Sequence, residues 1–135
     1  MTLTRALGTY LVTFVVFFAI DLVWLGVVAR GFYRQHLGHL LAPGVNWGAA
    51  VLFYLLFIAG IVFFAVRPAF ESGNAVRALT HGAAFGLMAY ATYDLTNHAT
   101  MRDWPLIVTV VDIVWGTVLS ATVAYLSYQV SSRLL

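Results

Sequence analysis

Apolar residues fill four long stretches of the chain, and short segments holding most of the charged residues separate them. The stretches predict helices over about residues 6–29, 46–66, 75–96 and 105–128. Each is close to the ~20 residues that a helix needs to cross a bilayer. None alternates strictly between apolar and polar positions, as a transmembrane β-strand does. The pattern predicts an all-α integral membrane protein, a single domain 1–135 with four transmembrane helices in a compact bundle.

Prolines and the first connection refine this picture. Pro68 disfavours a continuing helix, so we expect the second helix to end before Arg67. Pro105 suits the first turn of the fourth helix. The connection over residues 30–44 mixes arginines and histidines with leucines. That mixture predicts a short interfacial helix between the first and second transmembrane helices.

Composition agrees with a lipid environment. The chain is 62% hydrophobic and 9% charged, whereas soluble domains carry about 25% charged residues. The absence of cysteine excludes disulfide and thiolate chemistry. The seven basic residues are all arginines near predicted helix ends. They resemble membrane flanks rather than a nucleic-acid-binding surface, so we expect no nucleic-acid partner.

The arginines also indicate an orientation. With both termini in the cytoplasm, four arginines lie inside and three outside, as cytoplasmic loops prefer. The three on the outside are Arg30, Arg34 and Arg102. We expect cytoplasmic N- and C-termini, and dual topology stays open because the difference is one residue.

Three aspartates, Asp21, Asp94 and Asp112, lie within or at the ends of these apolar helices. A charged side chain at membrane depth costs roughly 3 kcal/mol on insertion scales, so such residues usually have a partner or a function. The first and third helices run in one direction and the fourth runs back, so all three acids fall toward one side. Each has an aromatic residue three or four positions away, respectively Trp24, Tyr90 and Trp115. This composition predicts an apolar pocket with a few polar groups at its mouth.

The candidate ligand-binding residues combine these side chains with polar and aromatic neighbours on the same side. They are Asp21, Trp24, Arg30, Arg34, Tyr90, Tyr93, Asp94, Asn97, Arg102, Asp112 and Trp115. A purely structural role stays open, in which the acids cap helices or pair with the arginines. Three neighbouring acids need cations or protons, so proton exchange also stays open.

Metal binding is a weaker interpretation. Carboxylates with Asn97 suit Mg²⁺ or Ca²⁺, and His36 with His39 suits a transition metal. The acids lie on separate helices and form no compact ligand motif, so we predict no metal site. On the third helix, Gly82-Ala-Ala-Phe-Gly86 is a small-xxx-small pattern that lets helices approach closely. We expect it to pack within the chain, with a dimer face as the alternative.

Several motifs together resemble a known family. Asp21-x-x-Trp24, Phe32-Tyr33, Tyr93-Asp94-Leu95-Thr96-Asn97 and Asp112-x-x-Trp115-Gly116 are similar to the pattern of bacterial predicted membrane proteins in the domain-of-unknown-function family number 2177. The resemblance covers nearly the whole chain. It implies a four-helix protein of the bacterial inner membrane and brings no established activity or cofactor. It also implies a link to lipids, because relatives are often encoded beside fatty-acid-modifying enzymes.

We therefore predict a small inner-membrane protein with one acidic and aromatic site near one leaflet. Its expected ligand is a lipid or other amphiphile, which it binds or helps to modify. In this hypothesis the arginines meet phosphate and the aromatic pocket takes the acyl chain. Two alternatives remain: a proton-coupled transporter working as a homo-oligomer, and a structural subunit of a larger membrane complex. Whether the protein is an enzyme stays open.

Overall fold

The computed structural model describes residues 1–135, and every regular element in it is helical. Two helices continue through π-helical turns, at Trp24–Val28 and at Val62–Val66. The α-helical segments are α1 (Leu3–Val23), α2 (Phe32–Leu37), α3 (Trp47–Ile61), α4 (Arg67–Ser72), α5 (Ala75–Thr100) and α6 (Leu106–Leu134).

Three continuous helical stretches are long and apolar enough to cross a membrane: Leu3–Val28, Trp47–Ser72 and Leu106–Leu134. Many of their large apolar side chains are exposed, as expected for a surface that faces lipid. Helix α5 has a comparable length of 26 residues, but it is less apolar and falls outside this set. The fold is thus all-helical, with three apolar helices of membrane-spanning length.

Side-chain caps explain where several helices begin. The side chain of Asn46 accepts the Ala49 N–H at 3.2 Å, immediately before α3. Asn74 likewise accepts the Val76 N–H at 2.9 Å, immediately before α5. Such caps satisfy N–H groups that have no partner inside the helix. The starts of the second and third predicted helices agree with the structure to within one residue.

The predicted end of the second helix before Arg67 is wrong, because the helix continues through Pro68 as α4. It stops only at Gly73, whose φ of 63° is left-handed. Pro68 has no N–H to donate to the Phe64 carbonyl one turn earlier. A ring nitrogen of His81 lies 3.3 Å from that carbonyl oxygen. The π-helical turn and the His81 contact together let the helix pass the proline.

Helices α5 and α6 both run past their predicted ends, to Thr100 and Leu134. At the end of α5, the Thr100 hydroxyl donates to the Thr96 carbonyl at 2.8 Å. At the end of α6, Ser131 is fully buried, so packing continues beyond the apolar stretch. Hydropathy marks the apolar part of a helix, whereas its backbone hydrogen bonds continue for as long as packing and polar side chains support them.

The main core lies between α1, the α3–α4 helix, α5 and α6. Its largest fully buried side chains include Phe17, Ile61 and Leu119. Helix α5 packs most extensively against α6, through Gly82 and Gly86. A Cβ on Gly82 would lie 2.8 Å from that of Ala124, so only glycine permits this approach. The small-xxx-small pattern is therefore used for packing within the chain.

Short helix α2 lies over the junction of α5 and α6. Leu37 of α2 forms a small buried cluster with Trp104 and Val108. Beyond α2, His39 Nε2 contacts the Asp103 carbonyl at 2.9 Å. These contacts bring the first connection, the end of α5 and the start of α6 to one end of the bundle.

Candidate functional site

The two Asp-x-x-Trp segments meet at this end of the bundle. Trp24 leaves α1 in its π-helical turn, and Trp115 lies on α6. Their rings stack with centroids 4.2 Å apart and planes 8° apart. The chain directions are opposite, because Gly8 near the start of α1 approaches Leu135 after the end of α6.

The N–H group of each indole is linked by hydrogen bonds to the aspartate of the other helix. Trp115 Nε1 donates to Asp21 Oδ1 over a long 3.4 Å. Trp24 Nε1 donates to the Tyr33 hydroxyl at 3.1 Å, and Tyr33 in turn donates to Asp112 Oδ1 at 2.8 Å. The two motifs are therefore joined crosswise, once directly and once through Tyr33.

Tyr33 is a site residue that our sequence reasoning missed. It reaches the site from α2, a segment that hydropathy alone places outside the bundle. Burial raises the pKa of its hydroxyl, and the negative charge of Asp112 raises it further. Tyr33 is thus held as a protonated hydrogen-bond donor. The Phe32-Tyr33 pair in the family-like pattern was the one signal that could have identified it.

Asp94 completes the acidic group from α5. Its side chain is fully buried and close enough to the Asp112 carboxyl group for the two to influence each other. Neither Asp94 oxygen has a hydrogen-bond donor in the protein. A buried carboxylate without partners is costly. A shared proton between Asp94 and Asp112, or a cationic group brought by a ligand, would satisfy the pair.

A cavity of about 630 Å³ opens beside these acids, within the usual size range of ligand sites. Its wall combines two carboxylates with two indoles, four phenols and five aliphatic side chains. The lining residues are Asp21, Asp112, Trp24, Trp115, Tyr33, Tyr54, Tyr90, Tyr93, Leu25, Leu37, Leu41, Val45 and Val108. A second cavity of about 310 Å³ shares Tyr90, Tyr93 and Asp112 with it.

Two side chains of this wall depend on features that the aspartate pattern does not reveal. Tyr90 lies directly against Gly116, where any Cβ would overlap its ring. Tyr54 projects from α3, whose apolar sequence gives no sign of a polar site. Sequence reasoning included Tyr90 among the site residues and missed Tyr54.

The predicted arginines lie away from this wall. Arg30, Arg34 and Arg102 are exposed, and none lines the cavity. The one ion pair in the chain joins Arg67 to Glu71 at 3.0 Å. The aspartates therefore form no ion pairs with the arginines, which was one of the two structural roles considered from the sequence.

The remaining polar residues at this end have other roles. Asn97 is half-buried one turn beyond Asp94 and does not line the cavity. Trp104 Nε1 donates to the Thr109 hydroxyl at 3.0 Å, and a His98 ring nitrogen contacts the same hydroxyl. No group of three or more histidine and acidic side chains is arranged to hold a metal ion.

Comparison with known proteins assigns the chain to a family. No curated protein and no solved structure matches it. A family model described as "Predicted membrane protein (DUF2177)" matches residues 6–129. That match includes both Asp-x-x-Trp segments, Tyr33 and Asp94. The chain therefore belongs to the predicted membrane protein family DUF2177.

Proposed function

We propose that this protein binds a lipid or another membrane amphiphile in the aromatic cavity. One observation carries the proposal: Asp21 and Asp112 are 6% and 8% exposed, yet both line a cavity with otherwise aromatic and aliphatic walls. An apolar wall with a few polar groups suits a molecule that has a chain and a polar end. The five aliphatic side chains and the ring faces would contact the chain, and the carboxylates would meet the polar end.

The proposal includes a placement in the bilayer. We take α5 as a fourth crossing, because its 26 residues span about 39 Å and it packs along α6. Helix α2 would then lie at the interface, on the same side as the three aspartates. With both termini cytoplasmic in a bacterial inner membrane, the cavity would be at the headgroup level of the outer leaflet. A lipid could enter it sideways.

Co-purified lipids provide the test. The protein would be purified in a mild detergent, and lipids retained by the wild type and by Asp21→Asn and Asp112→Asn would be quantified by native mass spectrometry. We expect a bound amphiphile in the wild type and a loss of at least half of it in each variant. Glu71→Gln is the matched control, since Glu71 is exposed and pairs with Arg67 at 3.0 Å. Equal retention by all four proteins would overturn the proposal.

The proximity of Asp94 to Asp112 favours a second candidate, proton-coupled transport by a homo-oligomer. Two neighbouring carboxyl groups can hold a proton between them and release it. Proton flux into liposomes carrying the protein would distinguish the candidates. Transport predicts a flux that Asp94→Asn abolishes, whereas amphiphile binding alone predicts no flux above that of empty liposomes.

A further inference from the structure

We infer that the cavity selects amphiphiles whose polar end is a protonated amine; this inference rests on the proposed function and specifies its ligand. The charged side chains of the cavity wall all have the same sign. Both charged side chains among the thirteen lining residues are acids, Asp21 and Asp112. A third acid, Asp94, is fully buried behind the wall and close enough to Asp112 for the two carboxyl groups to influence each other. An anionic headgroup in this cavity would face carboxylates and no cation.

Free hydrogen-bond acceptors give an independent argument. Asp21 is more than nine-tenths buried and accepts one protein hydrogen bond, at Oδ1 from Trp115. Its Oδ2 accepts none. Asp112 is also more than nine-tenths buried and accepts one side-chain hydrogen bond, at Oδ1 from Tyr33, so its Oδ2 has no donor either. Buried carboxylate oxygens without donors are costly, and an ammonium group that carries N–H bonds supplies both the donors and the missing charge.

The aromatic wall suits the same ligand. Ammonium groups are attracted to the faces of indole and phenol rings within about 6 Å. The stacked pair of Trp24 and Trp115 stands beside Asp21, and Tyr90 and Tyr54 line the same cavity. Rings alone would serve a quaternary ammonium equally well. The unpartnered oxygens favour an amine with N–H donors, because a quaternary group cannot donate a hydrogen bond.

Two sources share this chemistry: the headgroup of an aminophospholipid and a free long-chain amine. The ligand's aliphatic part would lie along Leu25, Leu41 and Val45, which line the cavity together with the aromatic rings. Both sources place the nitrogen near Asp21 and Asp112, the two acids that line the cavity. The experiment therefore tests the shared amine first and the source second.

The test uses the full chain in a nonionic detergent, with tryptophan fluorescence as the readout because Trp24 and Trp115 line the cavity. Dodecylamine, dodecanol and dodecyl sulfate would be titrated at equal mole fractions. We expect dodecylamine to bind at least about tenfold more tightly than dodecanol, as hydrogen bonds to charged groups predict, and dodecyl sulfate to bind most weakly. Asp21→Asn should remove most of the preference for dodecylamine over dodecanol, measured as the ratio of their affinities. Glu71→Gln should change neither.

Nanodiscs enriched in phosphatidylethanolamine, phosphatidylcholine or phosphatidylglycerol identify the source. A preference for phosphatidylethanolamine beside the dodecylamine preference supports the inference with a lipid headgroup as ligand. A dodecylamine preference without it supports the inference with a free amine. Equal binding of the three dodecyl probes overturns the inference and leaves amphiphile binding standing. Failure of every probe and lipid to bind overturns both. If Asp21→Asn does not fold, Asp112→Asn takes its place, because Asp112 is the other acid that lines the cavity. It should reduce the amine preference, and an unchanged preference overturns the inference.

Discussion

Trp24 and Trp115 stack face to face, with ring centroids 4.2 Å apart, where α1 and α6 run in opposite directions. Each tryptophan follows an aspartate by three positions, and each donates toward the other helix's aspartate, Trp24 through Tyr33. Two copies of one short motif, entering from opposite directions, thus form a reciprocal arrangement. The arrangement fixes both carboxylates beside the same cavity, which neither helix could do alone.

The stacked pair predicts a shared spectroscopic signal. Trp24→Phe and Trp115→Phe should each abolish the same near-ultraviolet circular-dichroism couplet, because the coupling needs both indoles. Each should also lower the free energy of unfolding by about 1–3 kcal/mol, because phenylalanine lacks the indole N–H that donates to Tyr33 or Asp21 and leaves that acceptor without its donor. Trp47→Phe is the control, since Trp47 is 68% exposed and unstacked. A couplet that survives either substitution would show that the rings are not stacked in the membrane.

Tyr33 predicts a measurable link between α2 and the bundle. Tyr33→Phe removes the donor to Asp112 and the acceptor for Trp24, whose bonds measure 2.8 Å and 3.1 Å. Leaving these buried groups unsatisfied should cost about 1–3 kcal/mol of stability. Denaturant unfolding in mixed micelles would measure the loss. Tyr125→Phe, at an exposed position, should change stability by less than about 0.5 kcal/mol. Equal effects would mean that α2 does not dock on the site.

Much of the fold follows from periodicity and composition, because apolar length alone predicts membrane-spanning helices. The prediction is wrong where local chemistry overrides the tendency of a residue to end a helix. Pro68 predicts a helix end, but the π-helical turn before it and the His81 contact with the Phe64 carbonyl allow the helix to continue to Ser72. That contact depends on α5, whose packing the sequence of the second helix does not contain.

The site residues also divide into those that the sequence reveals and those that it does not. Aspartates in apolar helices stand out, and counting helix directions places Asp21, Asp94 and Asp112 on one side, where the structure brings them together. Tyr33 and Tyr54 do not stand out, because tyrosine is common in membrane helices and at their ends. Their positions along the chain made the arginines suitable partners, but their side chains are exposed and none lines the cavity. The sequence predicts how deep a residue lies in the membrane more readily than which neighbours its side chain faces.

Gly116 predicts a link between helix packing and ligand binding. A methyl group at this position would overlap the Tyr90 ring, so Gly116→Ala should push Tyr90 toward the cavity that it lines. We expect a loss of about 1–3 kcal/mol in stability from overpacking and reduced retention of co-purified amphiphile. Thermal unfolding and native mass spectrometry would measure the two effects.

Gly26→Ala is the matched control for Gly116→Ala, because Gly26 is also helical and a Cβ there meets nothing within 4 Å. It should leave amphiphile retention unchanged and slightly raise stability, as alanine favours helix over glycine. Normal retention in Gly116→Ala would mean that Tyr90 does not shape the binding cavity.

In the C-terminal half of α6, we expect two substitutions to have little effect on the free energy of unfolding. Ser127 and Ser131 are fully buried, and neither hydroxyl has a hydrogen-bond partner. Replacing a buried serine that has no hydrogen-bond partner by alanine removes the hydroxyl group, and with it a desolvation cost and little volume. Ser127→Ala and Ser131→Ala should therefore leave the free energy of unfolding unchanged or raise it by up to about 1 kcal/mol. Thr13→Ala should lower it, because the Thr13 hydroxyl donates to the Thr9 carbonyl at 2.7 Å and its methyl group is buried. Losses above about 1 kcal/mol in both serine variants would reveal a buried water or a second chain that bonds these hydroxyls.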